Sequence, residues 1–221
     1  MVYITGDMHG ETARLSRSAL RRLKKGDTLM ICGDFGCLWK GDKREEQFLK
    51  KLGKRRYNLC FVDGRHENFT LLAQYPVVEF AGGRAQRIAG NLYHLLRGEI
   101  YTIEGETYFT FGGGESDDYD MRDEAATWWP EEMPSEEELL HGLEVLENCG
   151  HKVDYILTHE PSGKSSGYLS PRRRPGGLQL YFNRIEELVT FKRWYFGCLH
   201  VDKRVTARHY AVYRGLCAVN E

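Results

Sequence analysis

Five short blocks gather residue types suited to metal or acid–base chemistry: Gly6-Asp7-Met8-His9-Gly10, Gly33-Asp34-Phe35-Gly36, Asp63-Gly64-Arg65-His66-Glu67, Thr158-His159-Glu160-Pro161 and Gly197-Cys198-Leu199-His200. Each follows a short apolar run that reads as a strand. Asp7 and His9 stand two residues apart, so on extended backbone they point the same way. The glycines beside the ligand-type residues permit tight turns and close backbone approach. Taken one at a time the blocks are ordinary. An Asp beside Gly is usually a turn residue, a single His is usually a satisfied polar group, and a single Cys is a small buried hydrophobe. Five in succession after strands change that balance. Histidine with carboxylate suits Zn, Mn or Fe, and a shared Asp is what a two-metal phosphoester site requires.

The elements that must position these blocks alternate in the first half of the chain. Val2 to Thr5, Thr28 to Cys32 and Asn58 to Val62 read as strands. Helical spacing is expected over Arg14 to Lys24, over Arg44 to Leu52 and near Asn68 to Gln74. Such β-α-β alternation predicts a mainly parallel sheet with helices on its faces, and ligands then bind at the carboxyl ends of the strands. From Val77 to Phe111 the rhythm changes to short segments broken by Gly82-Gly83, Gly90-Asn91, Gly98 and Gly105. That pattern predicts hairpins and a second or mixed sheet. Ser135 as N-cap with Glu138 at the capping-box position predicts a helix to Asn148, ended by Gly150. Val153 to Thr158, Trp194 to Phe196, Val205 to Tyr213 and Leu216 to Val219 complete the expected strands. Gly163 to Gly177, with Arg172-Arg173-Arg174-Pro175, reads as a solvated loop.

Composition narrows the function classes. In 221 residues, 31 Lys and Arg against 32 Asp and Glu leave a net charge of −1, which argues against a binder of long nucleic acid. Hydrophobic residues at 41% supply a sizeable core and exclude intrinsic disorder. No apolar run reaches the ~20 residues of a membrane helix, and the amino terminus has no basic region or long apolar stretch of an export signal. The six cysteines form no CxxC pair, so reduced thiols and a cytoplasmic location are expected. Oligomeric state is not legible.

The ordered series Gly-Asp-x-His, Gly-Asp, Gly-x-His-Glu, Thr-His and Gly-x-x-His, spanning residues 4 to 200, resembles the calcineurin-like metallophosphoesterases. The stretch from Gly112 to Pro134, with its Ser-Asp, Arg and Trp-Trp-Pro elements, is similar to their small prokaryotic members. The resemblance implies an α/β fold of two packed mixed β-sheets flanked by helices, one domain over 1–221, and hydrolysis of a phosphate mono- or diester by a metal-activated water. The cofactor it implies is a divalent metal: Mn, Fe, Zn or Ni. Position by position, the first metal falls to Asp7, His9, Asp34 and His200. The second shares Asp34 and takes His159, while its remaining two ligand positions hold Arg65 and Cys198 where the family has Asn and His. His66 matches the proton-donating or phosphate-contacting histidine, with Glu67 beside it to orient it.

Both departures fall on one metal. A guanidinium stays protonated and has no lone pair to offer, whereas a Cys198 thiolate is a chemically suitable ligand for zinc. Two unit charges ~4 Å apart repel by roughly 4 kcal/mol at intermediate dielectric, and a divalent ion doubles that. Arg65 is therefore expected to stand in for the second cation, its fork holding phosphate oxygens or pairing with Asp34. The predicted function is a phosphoesterase with a mononuclear or altered site, acting on a small phosphorylated substrate or a phosphopeptide. Two alternatives stand beside it: a catalytically silent relative that binds a phosphorylated ligand or a protein partner, and a redox role for Cys198 near the Arg65 cation. Trp128 and Trp129 are further candidates for the mouth of the site, against plain packing beside Pro130, and Asp117, Asp118, Asp120 and Arg122 for substrate contact, against a solvated loop.

Overall fold

The computed structural model describes all residues except 17, 19, 117–120, 122–125, 170–173 and 220–221. Three apolar runs, VYITG, TLMIC and NLCFV, form parallel strands β1 (Val2–Gly6), β2 (Thr28–Cys32) and β3 (Asn58–Val62). They are covered on both faces, which is why they read as near-continuous hydrophobic stretches rather than alternating ones. Helix α1 (Lys43–Gly53) begins where the Asp42 carboxylate accepts from the Arg44 and Glu45 amides, carries Glu45 and Glu46 in its first turn and Lys50 and Lys51 in its last, and buries Leu49 and Leu52. After the short helix α2 (Phe69–Leu72) come β4 (Val77–Phe80), β5 (Gly83–Ala89) and β6 (Leu92–Leu95). The order of the first sheet is β6 beside β3, then β5 and β4; on the other side β1 meets β13 (Cys217–Ala218). Of the hairpins expected in the middle of the chain, these three strands extend the first sheet.

The second sheet starts at β7 (Glu99–Ile103) and β8 (Glu106–Phe111). It continues through β9 (Tyr155–Thr158), β10 (Arg193–Phe196), β12 (His209–Ala211) and β11 (Lys203–Arg204), with β8, β9, β10 and β12 parallel. Helix α3 (Glu136–Asn148) has the expected reciprocal Ser135–Glu138 capping box, and Gly150 follows it at φ +70°. It packs outside this sheet with α5 (Gly177–Leu188).

Side-chain alternation sorts the core into three layers. Leu29, Ile31, Leu59 and Phe61 face α1. Val2, Ile4, Met30, Cys60 and Val62 face Tyr101, Tyr108, Tyr155 and Tyr195 of the second sheet. Phe109, Phe111, Ile156, Trp194 and Phe196 face Leu146, Leu178, Phe182 and Ile185 of the outer helices. The result is helices, sheet, sheet, helices. Each fully buried aliphatic or aromatic side chain contributes roughly 1.5–3 kcal/mol, against ~0–1 kcal/mol for an exposed pair such as Lys50–Glu46. The layers, not the surface ion pairs, hold the frame.

Two expectations are corrected. The helix expected over Arg14 to Lys24 is, among its described residues, a single 3-10 turn at Thr12–Leu15 followed by turns. Ser16 is extended, at φ −68° and ψ 155°, which stops the helix despite the apolar spacing. The expected loop over Gly163 to Gly177 contains α4 (Gly163–Leu169), which buries Ser165 and Ser166; the first two arginines of its basic run lie outside the described residues. No helix among the described residues is long and apolar enough to cross a membrane.

Candidate metal centre

Register places the ligand blocks. Gly6 pairs with Cys32 and Cys32 with Val62, so Asp7, Gly33 and Asp63 leave their strands at the same level. In the second sheet Phe196 pairs with Thr158, which sets Gly197 level with His159. The five blocks therefore come from two sheets whose carboxyl ends meet. Gly33, at φ +93°, shows how close the meeting is: a Cβ there would lie 2.0 Å from His159 Nδ1. A Cβ at Gly197 would lie 2.1 Å from Asp7 Oδ1. Glycine is required at both.

Among the described residues, three overlapping groups could each hold a cation: Asp7, His9 and His200; Asp7, Asp34 and His159; and His9, Asp34 and His66. His200 Nε2 lies 3.0 Å from Asp7 Oδ2 and 2.9 Å from His9 Nε2. His9 Nε2 is 3.6 Å from Asp34 Oδ2. Buried His159 stands between the carboxylates, its Nδ1 3.6 Å from Asp7 Oδ1 and its Nε2 3.6 Å from Asp34 Oδ1. Four of the non-glycine residues at positive φ are here: His9 (46°), Asp34 (45°), Cys198 (64°) and His200 (51°). Left-handed backbone of this kind costs roughly 1–3 kcal/mol per residue and persists where the surroundings over-determine it, commonly at functional sites.

The donor set fits a divalent cation. Two imidazole Nε2 atoms face each other at 2.9 Å, a contact that needs a proton or a cation between the lone pairs. His159 Nε2 is buried with no hydrogen-bond partner, and Asp7 Oδ2 is buried with no aligned hydrogen bond although His200 Nε2 lies 3.0 Å away, which is costly unless another species satisfies them. Asp, His and a shared carboxylate are ligands for Mn, Fe, Zn or Ni.

Electrostatics agree. Burial alone would raise the Asp34 pKa, but His159, then His66 and His9, hold it well below the usual carboxylate range. Burial alone would lower the His159 pKa, but Asp34 in particular pushes it well above the usual histidine value. His9 is lowered, chiefly by burial, with Asp34 opposing. The carboxylate pair thus demands positive charge.

The remaining candidates fall as follows. Arg65 meets Asp34 through its backbone amide, which donates to Oδ1 at 2.6 Å. Its Nη1 donates to the Glu115 carbonyl at 3.2 Å, and its aliphatic stem passes so close to Gly114 that a Cβ there would lie 2.8 Å from Cγ. His66 places Nδ1 2.9 Å from Asp34 Oδ2. Glu67 is buried and accepts from the Phe35 amide at 2.6 Å and the Gly36 amide at 3.3 Å, tying down the loop that carries Asp34. The Cys198 amide donates to Asp7 Oδ1 at 3.0 Å, and its thiol is in none of the three groups. Trp129 is buried, packs edge-on against Trp39 and donates to Thr70 Oγ1. Asp117, Asp118, Asp120 and Arg122 lie outside the described residues.

Sequence reasoning gave no role to two sets of residues that frame the site. Behind Arg65, buried Asp63 takes two hydrogen bonds from Arg97, at 3.0 and 2.6 Å, and one contact from His94 Nε2 at 3.0 Å. Asp63 was visible as part of its block, but Arg97 and His94 come from remote positions with no motif. Tyr213 stacks on His200, ring centroids 4.9 Å apart, and likewise has no local signal.

A 2.05 Å crystal structure of a Staphylococcus aureus protein provisionally named a 5'-nucleotidase, in complex with alpha-ketoglutarate, is similar to this chain with a TM-score of 0.47 and 12% identity. The similarity covers 97% of this chain and 48% of that one, so the chain spans about half the length of that protein. No curated protein matches. The family pattern described as calcineurin-like phosphoesterase matches residues 1–206, nearly the whole chain, and this chain belongs to that family.

Proposed function

We propose that the chain hydrolyses a phosphate mono- or diester with one tightly held divalent ion on Asp7, His9, Asp34 and His200, and with Arg65 supplying the positive charge that a second ion would bring. The observation that carries this reading is the convergence of Asp7, His9, Asp34 and His200, with the two imidazole Nε2 atoms opposed at 2.9 Å and His200 Nε2 3.0 Å from the buried Asp7 Oδ2. When bound, a divalent cation polarises a phosphoryl oxygen and lowers the pKa of a water toward about 7. The protein's own residues do the rest. Asp34 accepts the Arg65 and His66 amides, which fixes the loop. The Nδ1 contact to Asp34 sets the His66 ring, and a proton carried on its Nε2 can pass to the leaving oxygen. Arg65, braced on Gly114 and Glu115, brings a permanent charge to the second-metal side. His159 is left beside it with the Asp7 and Asp34 carboxylates, a group that does not include the Cys198 thiol. The substrate class is a small phosphorylated molecule or a phosphopeptide.

The test is metal content of the purified chain together with hydrolysis of an aryl phosphate and a bis-aryl phosphate under Mn, Fe, Zn and Ni. One tight equivalent and metal-dependent turnover that falls about 10–100-fold in Arg65→Ala are expected. Two fully occupied ions bridged by Asp34 would overturn the surrogate-cation reading. Turnover appearing only in the paired Arg65→Asn and Cys198→His variant would instead favour a silent protein that binds phosphorylated ligands.

A further inference from the structure

His200 has a liability. Its backbone is left-handed at φ +51° and its side chain is 47% exposed, so neither local backbone preference nor burial fixes where its ring points. Something else must do so. The Tyr213 ring lies 4.9 Å from the His200 ring, at an interplanar angle of 21°. That tyrosine is in turn held from three directions. The carboxylate of Asp202, two residues beyond His200, accepts the amides of Tyr213 (2.8 Å), Arg214 (3.1 Å) and Gly215 (3.0 Å). The Tyr213 carbonyl accepts from the Gly6 amide at 3.0 Å, from Thr5 Oγ1 at 2.9 Å and from Arg14. The Arg14 guanidinium also donates to the Asp7 carbonyl and lies 5.4 Å from the centre of the Tyr213 ring.

We infer that Tyr213 is a positioning residue: its backbone, clamped to the end of β1 by Arg14 and to the His200 loop by Asp202, presents a ring that sets the His200 imidazole against Asp7 and His9. The clamp links both chain segments that supply ligands to this half of the site. Arg14 touches the backbone of one ligand residue, Asp7, and Asp202 belongs to the loop of another, His200. Aligning ligands before the ion arrives raises affinity, because the cost of ordering them is not charged to binding.

The inference rests on the metal reading above, and its test separates the two. The chain is stripped of metal and titrated with Mn2+ alone. His200→Ala first establishes that this histidine ligates, through loss of tight binding. Tyr213→Leu is then expected to weaken Mn2+ by about 10–100-fold, the usual effect of disturbing a ligand's supporting partner. Tyr213→Phe keeps the ring and is expected to keep the affinity. Asp202→Ala, which frees the Tyr213–Gly215 turn while leaving the ring, is expected to weaken binding in the same direction by less. The visible spectrum of the Co2+ form should change in Tyr213→Leu but not in Tyr213→Phe. Wild-type Mn2+ affinity in both Tyr213→Leu and Asp202→Ala, with His200→Ala defective, would overturn the role of the stack. Wild-type affinity in His200→Ala would show that the metal reading itself has failed, and the positioning role with it.

Discussion

One half of the site is built from Asp7, His9 and His200, the other from Arg65, His159 and Cys198, and Asp34 lies between them. The histidines of the first half are partly exposed, 28% for His9 and 47% for His200, while His159 is fully buried. The first half carries Asp and His at each position where the family resemblance implies a ligand. In the second, Arg65 and Cys198 stand where the resemblance implies Asn and His. The difference teaches that two sides sharing one carboxylate, Asp34, need not carry the same chemistry. The first half is open at its histidines, and His200 stacks on Tyr213 there. The second is buried at His159, with half-buried Arg65 in the loop that follows Asp63 and its partner Arg97.

The comparison is broken most severely by removing what the halves share. Asp34→Ala should eliminate tight metal binding and lower kcat/KM by about a thousandfold or more, since several kcal/mol of charge stabilisation converts at 1.36 kcal/mol per tenfold. Metal analysis and steady-state kinetics under saturating Mn2+ check this. Next comes the support of the buried half. Asp63→Asn leaves the Arg97 guanidinium, hydrogen-bonded to Asp63 at 2.6 Å, without its buried partner, and should cost about 3 kcal/mol of stability by urea unfolding.

The same carboxylate predicts acid sensitivity. Burial would raise the Asp63 pKa, but Arg97 and then His94 hold it well below the ordinary value, which is about 3.9. Protons therefore bind the unfolded chain first as pH falls. The stability Asp63 contributes is complete above that ordinary value and lost as pH drops through it toward the depressed one. Urea midpoints measured from pH 6 to pH 3 should fall more steeply for the wild type than for Asp63→Asn.

Smaller effects sharpen the contrast. Arg65→Ala should leave the affinity of the first ion intact yet reduce kcat/KM by about 10–100-fold, the equivalent of one charge-assisted hydrogen bond of ~1.5–3 kcal/mol. A parallel loss of tight Mn2+ binding would mean that Arg65 belongs to the open half instead. The weakest effect is expected at Cys198→Ala, whose thiol is in none of the three groups: unchanged metal stoichiometry, and kcat/KM within about twofold. Loss of an ion there would restore the thiol as a ligand.

Much of this is legible in the amino-acid sequence. The runs at Val2, Thr28 and Asn58 announce central parallel strands because strands covered on both faces must be apolar throughout. Ser135 and Glu138 announce a helix start because the capping box is local. Asp7, His9, Asp34, His159 and His200 stand out because strand ends carry ligands in this kind of sheet. The Arg14 to Lys24 segment misled because apolar spacing reports a buried face and not a continuous helix. What Glu67 does was likewise hidden. Its neighbour in sequence is His66, but its carboxylate serves the amides of Phe35 and Gly36, thirty residues away.

By itself the sequence determined the ligand types, their order and the fixed charge at Arg65, since these follow from residue identity and from spacing along one strand end. Only the tertiary structure decided that His200 rests on Tyr213, that Arg97 and His94 share Asp63, and that the two sheets meet at His159 and Gly33. Those contacts join residues from 13 to 126 positions apart, and no local periodicity encodes a partner at such separation.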